Sequence, residues 1–121
     1  MMIERSGEMT NYYYIASDKK LEDGNASLQF VETEEWLIPG FDYPVQREII
    51  NGVEKHWELR ELLQYIHNNT APYDVCTVQI AHLINPTELA IQNKSSILFR
   101  DIIDPKQLLL AEGQLLTINK V

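Results

Sequence analysis

The apolar positions change period along the chain, and each change marks an element. Asn11 to Ser17 (NYYYIAS) is an aromatic and β-branched run that suits a central strand, and it ends in the polar, glycine-containing stretch 18–25. Leu28 to Glu32 (LQFVE) is a second short strand, followed by Thr33-Glu34-Glu35-Trp36, where Thr33 can cap one helical turn with acids at its positive end. From Glu58 to Asn68 the period becomes helical, with Leu59, Leu62, Leu63 and Ile66 on one face and Asn68, Asn69 and Pro72 as stop signals. Asp74 to Ile84 returns to a period of two. Both of its faces are mostly apolar, which predicts a strand covered on two sides.

Turn residues divide these runs. Pro39-Gly40 suits a type II turn, and Tyr43 before Pro44 is held extended, so residues 36–44 (WLIPGFDYP) form an aromatic-rich connection. Asn51-Gly52 predicts a type I′ hairpin that pairs Ile50 with Val53 and Glu48 with Lys55; the rival reading starts a helix directly at Val53. Asn85-Pro86-Thr87-Glu88 has cap, proline and reciprocal acid in the order that opens a helical turn, and Asp104-Pro105-Lys106-Gln107 repeats that order nineteen positions later. Short capped helical turns are therefore expected near 86–91 and 105–112. A shared capping solution explains the echo better than a duplicated domain. Ile97 to Ile102 (ILFRDI) and Gln114 to Asn119 (QLLTIN) complete the strands, with Gly113 ending the second short helix.

Together these predict an α+β fold, a mixed or antiparallel sheet of about six strands packed against one longer helix, about 58–68. Long parallel crossovers are mostly missing. The chain divides into residues 1–10 and a single α+β domain over 11–121. The first ten residues read either as a disordered arm or as sequence upstream of a true start at Met9, because codons allowed for Glu4 to Glu8 include a purine-rich run resembling a bacterial ribosome-binding site.

Composition narrows the function classes more than it names one. At 121 residues the chain is long enough for one core without metals or disulfides. Eighteen acidic against ten basic side chains give a formal charge of -8, whose field repels phosphate backbones and anionic lipid and so argues against nucleic acid as a partner. Imitation of nucleic acid at another protein's basic site is a minority alternative to plain solubility. No stretch approaches the ~20 apolar residues of a membrane span. The single Cys76 and the absence of an apolar signal core indicate a reducing, cytoplasmic compartment, which leaves the glycosylation matches at Asn25, Asn68 and Asn93 little weight.

Candidate chemistry is sparse. Neither HxxxH nor CxxC occurs, and no glycine-rich phosphate loop or GxSxG elbow is present, so no cofactor, metal or catalytic residue is assigned. Cys76, among Val75, Val78 and Ile80 with no basic neighbour, reads as core. His82, alone on an apolar strand face, reads first as a hydrogen-bonded core residue. The pairs Glu34 with Glu35 and Glu58 with Glu61 read as solvated faces in a chain with eighteen acids.

Trp36, Phe41 and Tyr43 lie within eight positions around Pro39 and Gly40, and exposed aromatics on a rigid loop are the residue types that dominate protein interfaces. The competing reading, slightly favoured, folds them back onto the core. The segment YYYIASDKKLEDG, with the later ILFRDIIDP, resembles the first and last strands of small ADP-ribosyltransferase-like domains over about a quarter of the chain. No His, Tyr or Glu triad of that family can be placed, so membership is not claimed. The leading expectation is thus a noncatalytic protein-binding or regulatory module, such as a small bacterial regulator or inhibitor, with Trp36, Phe41 and Tyr43 beside acidic side chains as its surface. The alternative is a small enzyme acting on a nucleotide or nucleotide-derived ligand, for which His56, His82 and Arg100 would have to converge on one pocket. A third is a homo-oligomer joined through an exposed sheet edge.

Overall fold

In the computed structural model, residues 12–22, 30–36, 40–50, 53–83 and 91–121 are described. The elements follow in the order β1 (Tyr12–Ser17), β2 (Phe30–Trp36), β3 (Val45–Ile50), α1 (His56–Thr70), β4 (Cys76–Leu83), β5 (Asn93–Leu98) and β6 (Gln114–Lys120), with 3-10 turns at Phe99–Asp101 and Pro105–Leu108 between the last two strands. The strands form one sheet in the order β2-β3-β1-β4-β6-β5. Four of its pairings are antiparallel and β5 with β6 is parallel, so the sheet is mixed and the class is α+β, as expected.

Two-sided burial of the central strands organises the molecule. Tyr13 and Ile15 of β1, Ile49 of β3, Val78 and Ile80 of β4 and Leu116 and Ile118 of β6 face α1, which returns Leu59, Leu62, Tyr65 and Ile66 to the same core. The opposite face of the sheet, with Tyr14, Ala16, Val45, Ala81, Leu83 and Leu115, is covered by Phe41, Tyr43 and Ile91. One polar group interrupts that second core. Gln79 is buried, and its amide is matched on every side: Oε1 accepts from Asp42 N at 2.9 Å, while Nε2 donates to Asp42 Oδ2 and Thr117 Oγ1, each at 3.0 Å. Burial of this amide is tolerable because its hydrogen bonds are made.

α1 is longer than its apolar stripe alone predicts. Glu58 Oε1 accepts from the backbone N–H groups of Lys55 at 2.8 Å and Glu54 at 3.1 Å, which satisfies the amides just ahead of the helix. At the other end Lys120 Nζ donates to Thr70 O at 2.8 Å and places a positive charge where the helix dipole is negative.

Several local expectations are corrected. Thr33 to Trp36 is not a helical turn, because β2 runs unbroken from Phe30 to Trp36 and pairs Trp36 with Val45 across an irregularity in the ladder. The hairpin at Asn51-Gly52 does not form its second strand. Both edges of β3 are taken by β1 and β2, and Val53 to Lys55 leads straight into α1, whose first residue is His56 rather than Val53. Asn51, Gly52 and Pro39 themselves lie outside the described residues, as do residues 86–90 of the helical turn expected near 86–91 and the whole of residues 1–10. The helix expected over 105–112 is one 3-10 turn, Pro105–Leu108. Its cap is as read from the sequence: Asp104 Oδ1 accepts from Lys106 N, and Gln107 Oε1 accepts from Asp104 N, each at 2.9 Å. The strand expected over 97–102 begins earlier and ends at Leu98, where the chain turns through Phe99–Asp101.

Candidate interaction surface

Helical periodicity fixes which side chains α1 shows to solvent. With its leucines turned to the sheet, Trp57, Arg60, Glu61 and Gln64 fall on the opposite side, within about 100° of helix circumference at 3.6 residues per turn. These four line a shallow groove of about 310 Å³. Trp57 is 39% exposed, a large apolar side chain on the polar face of an amphipathic helix. Arg60 and Glu61 put opposite charges side by side in the middle of the groove, and Gln64 extends it toward Asn68, to which its Nε2 donates at 2.9 Å.

The aromatic loop is used differently. Phe41 is only 7% exposed and belongs to the second core, and Tyr43 is half-buried against the same cluster. Phe41 follows the favoured reading, folded back onto the core, and so is withdrawn as a docking residue: the second sheet face needs a cover, and this loop supplies part of it. Trp36 closes β2, an outer strand of the described sheet.

The three polar candidates do not share one site. His56 is the first residue of α1 and is exposed. His82 lies on β4, stacked on Tyr13 with ring centroids 5.2 Å apart, and its Nδ1 is 3.0 Å from Leu110 O. Arg100 lies in the exposed turn after β5. Strand register separates it from His82: His82 is opposite Gln114, whereas Leu98, two residues before Arg100, is opposite Asn119, roughly 17 Å further along β6. Phe99 packs edge-on against His67 with centroids 4.6 Å apart, so Arg100 is also at the far end of α1 from His56, about 16 Å along the axis.

Three groups of the described residues with nucleophilic potential, Cys76, Tyr13 and Tyr14, are held toward their protonated forms. Cys76 is buried, and its thiol pKa is pushed up by that burial and by the nearby Asp18 carboxylate, against a smaller opposing pull from Lys120 and Lys19. Tyr13 is pushed up to about 12 by burial, with the Leu110 amide pulling slightly the other way. Tyr14 is also raised, first by burial and then by the charge of Glu48. A phenol or thiol raised in this way stays protonated at neutral pH, where attack requires the anion. Among the described residues no group of three or more His, Cys, Asp or Glu side chains is placed to hold a metal ion, and no helix is long and apolar enough to cross a membrane.

Sequence reasoning missed Trp57. A signal for it was present: Trp57 precedes Leu59 by two positions, a rotation of about 200°, which sets it opposite the leucine stripe. No protein-family model, curated protein or solved structure matches this chain.

Proposed function

We propose that this chain is a noncatalytic, cytoplasmic protein-binding module whose docking face is the outer side of α1. The observation that carries this reading is the exposed indole of Trp57 in a groove with Arg60, Glu61 and Gln64. Trp and Arg are enriched among residues whose truncation costs an interface most, because each combines a large contact area with directional polar atoms. The groove is built on a helix anchored by the main core, so its side chains are presented without first having to order a loop. The -8 charge favours a protein partner over a nucleic acid one, and the lone buried Cys76 suits a reducing compartment.

The test is capture of partners from cell extract on the immobilised chain, with Trp57→Ala and Arg60→Ala compared with Trp36→Ala and Tyr43→Ala. Each variant is first checked for unchanged circular dichroism. Loss of about 2 kcal/mol at Trp57, some thirtyfold in affinity, with retention at Trp36 is the expected pattern. Partners that remain on Trp57→Ala and disappear on Trp36→Ala would move the docking face to the β2 edge.

A further inference from the structure

β5 stands at one edge of the sheet, and the ladder on its inner side fixes which of its backbone groups are left over. The amide of Asn93 donates to Gly113 O at 3.2 Å, so it faces β6. Successive residues of a strand turn their N–H and C=O groups to opposite sides. Ser95 and Ile97 therefore also face β6, whereas Lys94, Ser96 and Leu98 turn theirs outward. No described strand pairs with that outer side. The ladder to β6 runs from Asn93 to Leu98 without a shift of register, and the strand contains no proline, so neither a bulge nor a missing amide blunts the edge. What the edge does carry is charge, which discriminates between the strands that could join it. Lys94 lies on β5, Arg100 follows in the next turn, and both are exposed. From Leu89 to Arg100 the sequence holds these two cations and no acid, in a chain whose acids outnumber its bases eighteen to ten. Side chains alternate as well. Lys94 lies beside Leu115 on the side of the sheet that carries Phe41, and Ile97 lies beside Ile118 on the α1 side, packed against the main core.

We infer that the outer edge of β5 takes up an extended, acidic segment of a partner protein as a further strand, with acids on the Lys94 side and apolar residues on the Ile97 side. Backbone hydrogen bonds to Lys94, Ser96 and Leu98 supply the attachment, and the alternating side chains supply the choice. An acid beside Lys94 meets its ammonium, and an apolar residue beside the half-buried Ile97 extends the rim of the main core. The net charge of -8 repels such a segment at a distance, so selection acts at contact and a short peptide binds weakly. This edge is separate from the Trp57 groove, which is built from side chains of α1, and the inference does not depend on that groove.

The experiment is amide hydrogen exchange by NMR on the full chain, alone and with an end-blocked peptide of alternating glutamate and valine or its lysine counterpart. In the dilute chain alone, the amides of Ser95 and Ile97 are expected to be protected and those of Lys94, Ser96 and Leu98 to exchange freely. The glutamate peptide, at about ten times its dissociation constant, should slow the three outward amides about tenfold. Ser96→Pro removes one outward N–H at an edge where proline is tolerated, and should abolish the slowing at Lys94 and Leu98 while Ser95 and Ile97 stay protected. If it loosens Ser95 and Ile97 instead, Lys94→Glu decides alone, since it leaves the backbone unchanged and should turn the preference toward the lysine peptide. Equal or stronger protection of the unmodified chain by the lysine peptide, no protection by either, or protection that survives Ser96→Pro overturns the inference. Outward amides already protected without peptide overturn it too: protection that grows with chain concentration assigns the edge to a second copy, and protection independent of concentration assigns it to another segment of this chain. Trp57→Ala should change none of these rates, so the α1 groove and the β5 edge stand or fall separately.

Discussion

The phenol oxygen of Tyr13 accepts a hydrogen bond from the backbone N–H of Leu110 at 2.8 Å, joining residues 97 positions apart. The same hydroxyl donates to Leu108 O at 3.3 Å, and His82, stacked on the Tyr13 ring, is 3.0 Å from Leu110 O through Nδ1. Tyr13 is fully buried, so this one side chain ties the end of the Pro105–Leu108 turn to the middle of the sheet. The contact explains why a chain segment without extended pairing of its own stays seated over the core: its inward-facing backbone groups find partners on β1 and β4.

Replacing Tyr13 with Phe keeps most of the packing and leaves the Leu110 amide without its acceptor, for an expected loss of about 1–3 kcal/mol in urea unfolding. The same contact sets an alkaline limit. The unfolded phenol titrates near its ordinary 10 and the folded one at about 12. Between those values the folded chain holds a proton that the unfolded chain has released, so stability is complete below pH 10 and falls as pH rises toward 12, by about 1.4 kcal/mol per pH unit for one such group. Tyr14 is raised in the same direction and adds to the slope. Unfolding free energies measured from pH 9 to 11 should show this fall, and Tyr13→Phe should remove part of it. A flat profile in the unmodified chain would contradict the assignment.

Legibility in the sequence followed how far each signal was local. α1 was readable because four apolar residues share one face of a continuous period, and β4 because both its faces are apolar, which only a strand covered on two sides can satisfy. The Asp104 cap was readable because its hydrogen bonds close within four residues. Thr33 to Trp36 misled because its acids and capping residue describe a helix start, while the strand is held by pairings with β3 on either side of the irregular stretch, Glu32 with Arg47 and Trp36 with Val45, that no local window contains. Asn93 to Ser96 is polar and poor in strand formers, yet it becomes β5 because the parallel edge of β6 supplies its hydrogen bonds. Phe41 was ambiguous for a related reason. Whether an aromatic loop docks inward depends on an uncovered sheet face behind it, and that face exists only once β1, β4 and β6 are assembled.

Gly40 shows where the loop that carries Phe41 depends on one residue type. Its φ is +109°, outside the range that side-chain-bearing residues adopt readily, and an added Cβ would lie 2.7 Å from Ile91 Cδ1 and 3.1 Å from Ile91 Cβ. Gly40→Ala should therefore destabilise the chain by about 1–3 kcal/mol. Adding Ile91→Ala should make the pair less than additive, because trimming Cδ1 relieves the contact and leaves the backbone strain in place. Strict additivity in a double-mutant cycle would show that φ alone carries the cost.

Cys76 reports on the cohesion of the sheet. It begins β4, between β1 and β6, is 2% exposed, and has a thiol pKa raised by burial and by Asp18. Thiol reagents attack the thiolate, so reaction needs both access and ionisation, and the folded state suppresses both. Cys76 sits at the end of β4, paired with Lys120 of β6, so its access to reagent reports on how firmly that end of the sheet stays covered. An opening that costs on the order of 3 kcal/mol would slow labelling about 100-fold relative to the chain in urea. Labelling at pH 8 followed by mass should show the native chain reacting slowly and the urea-unfolded chain completely. Lys120→Ala, which removes both the cation near the thiol and the hydrogen bond to Thr70 O, tests the coupling of this strand end to α1. Without the Lys120 charge the thiol is still less acidic, which by itself slows labelling, so a faster reaction in that variant reports easier access, either because the Lys120 side chain no longer covers the thiol or because the strand end opens more readily, and Lys120→Met, which keeps the bulk, separates the two. Acceleration in both variants would place the helix-to-strand contact among the interactions that hold β6 in the sheet, acceleration in Lys120→Ala alone would assign the effect to lost cover, and an unchanged or slower rate in both would leave that task to the ladder.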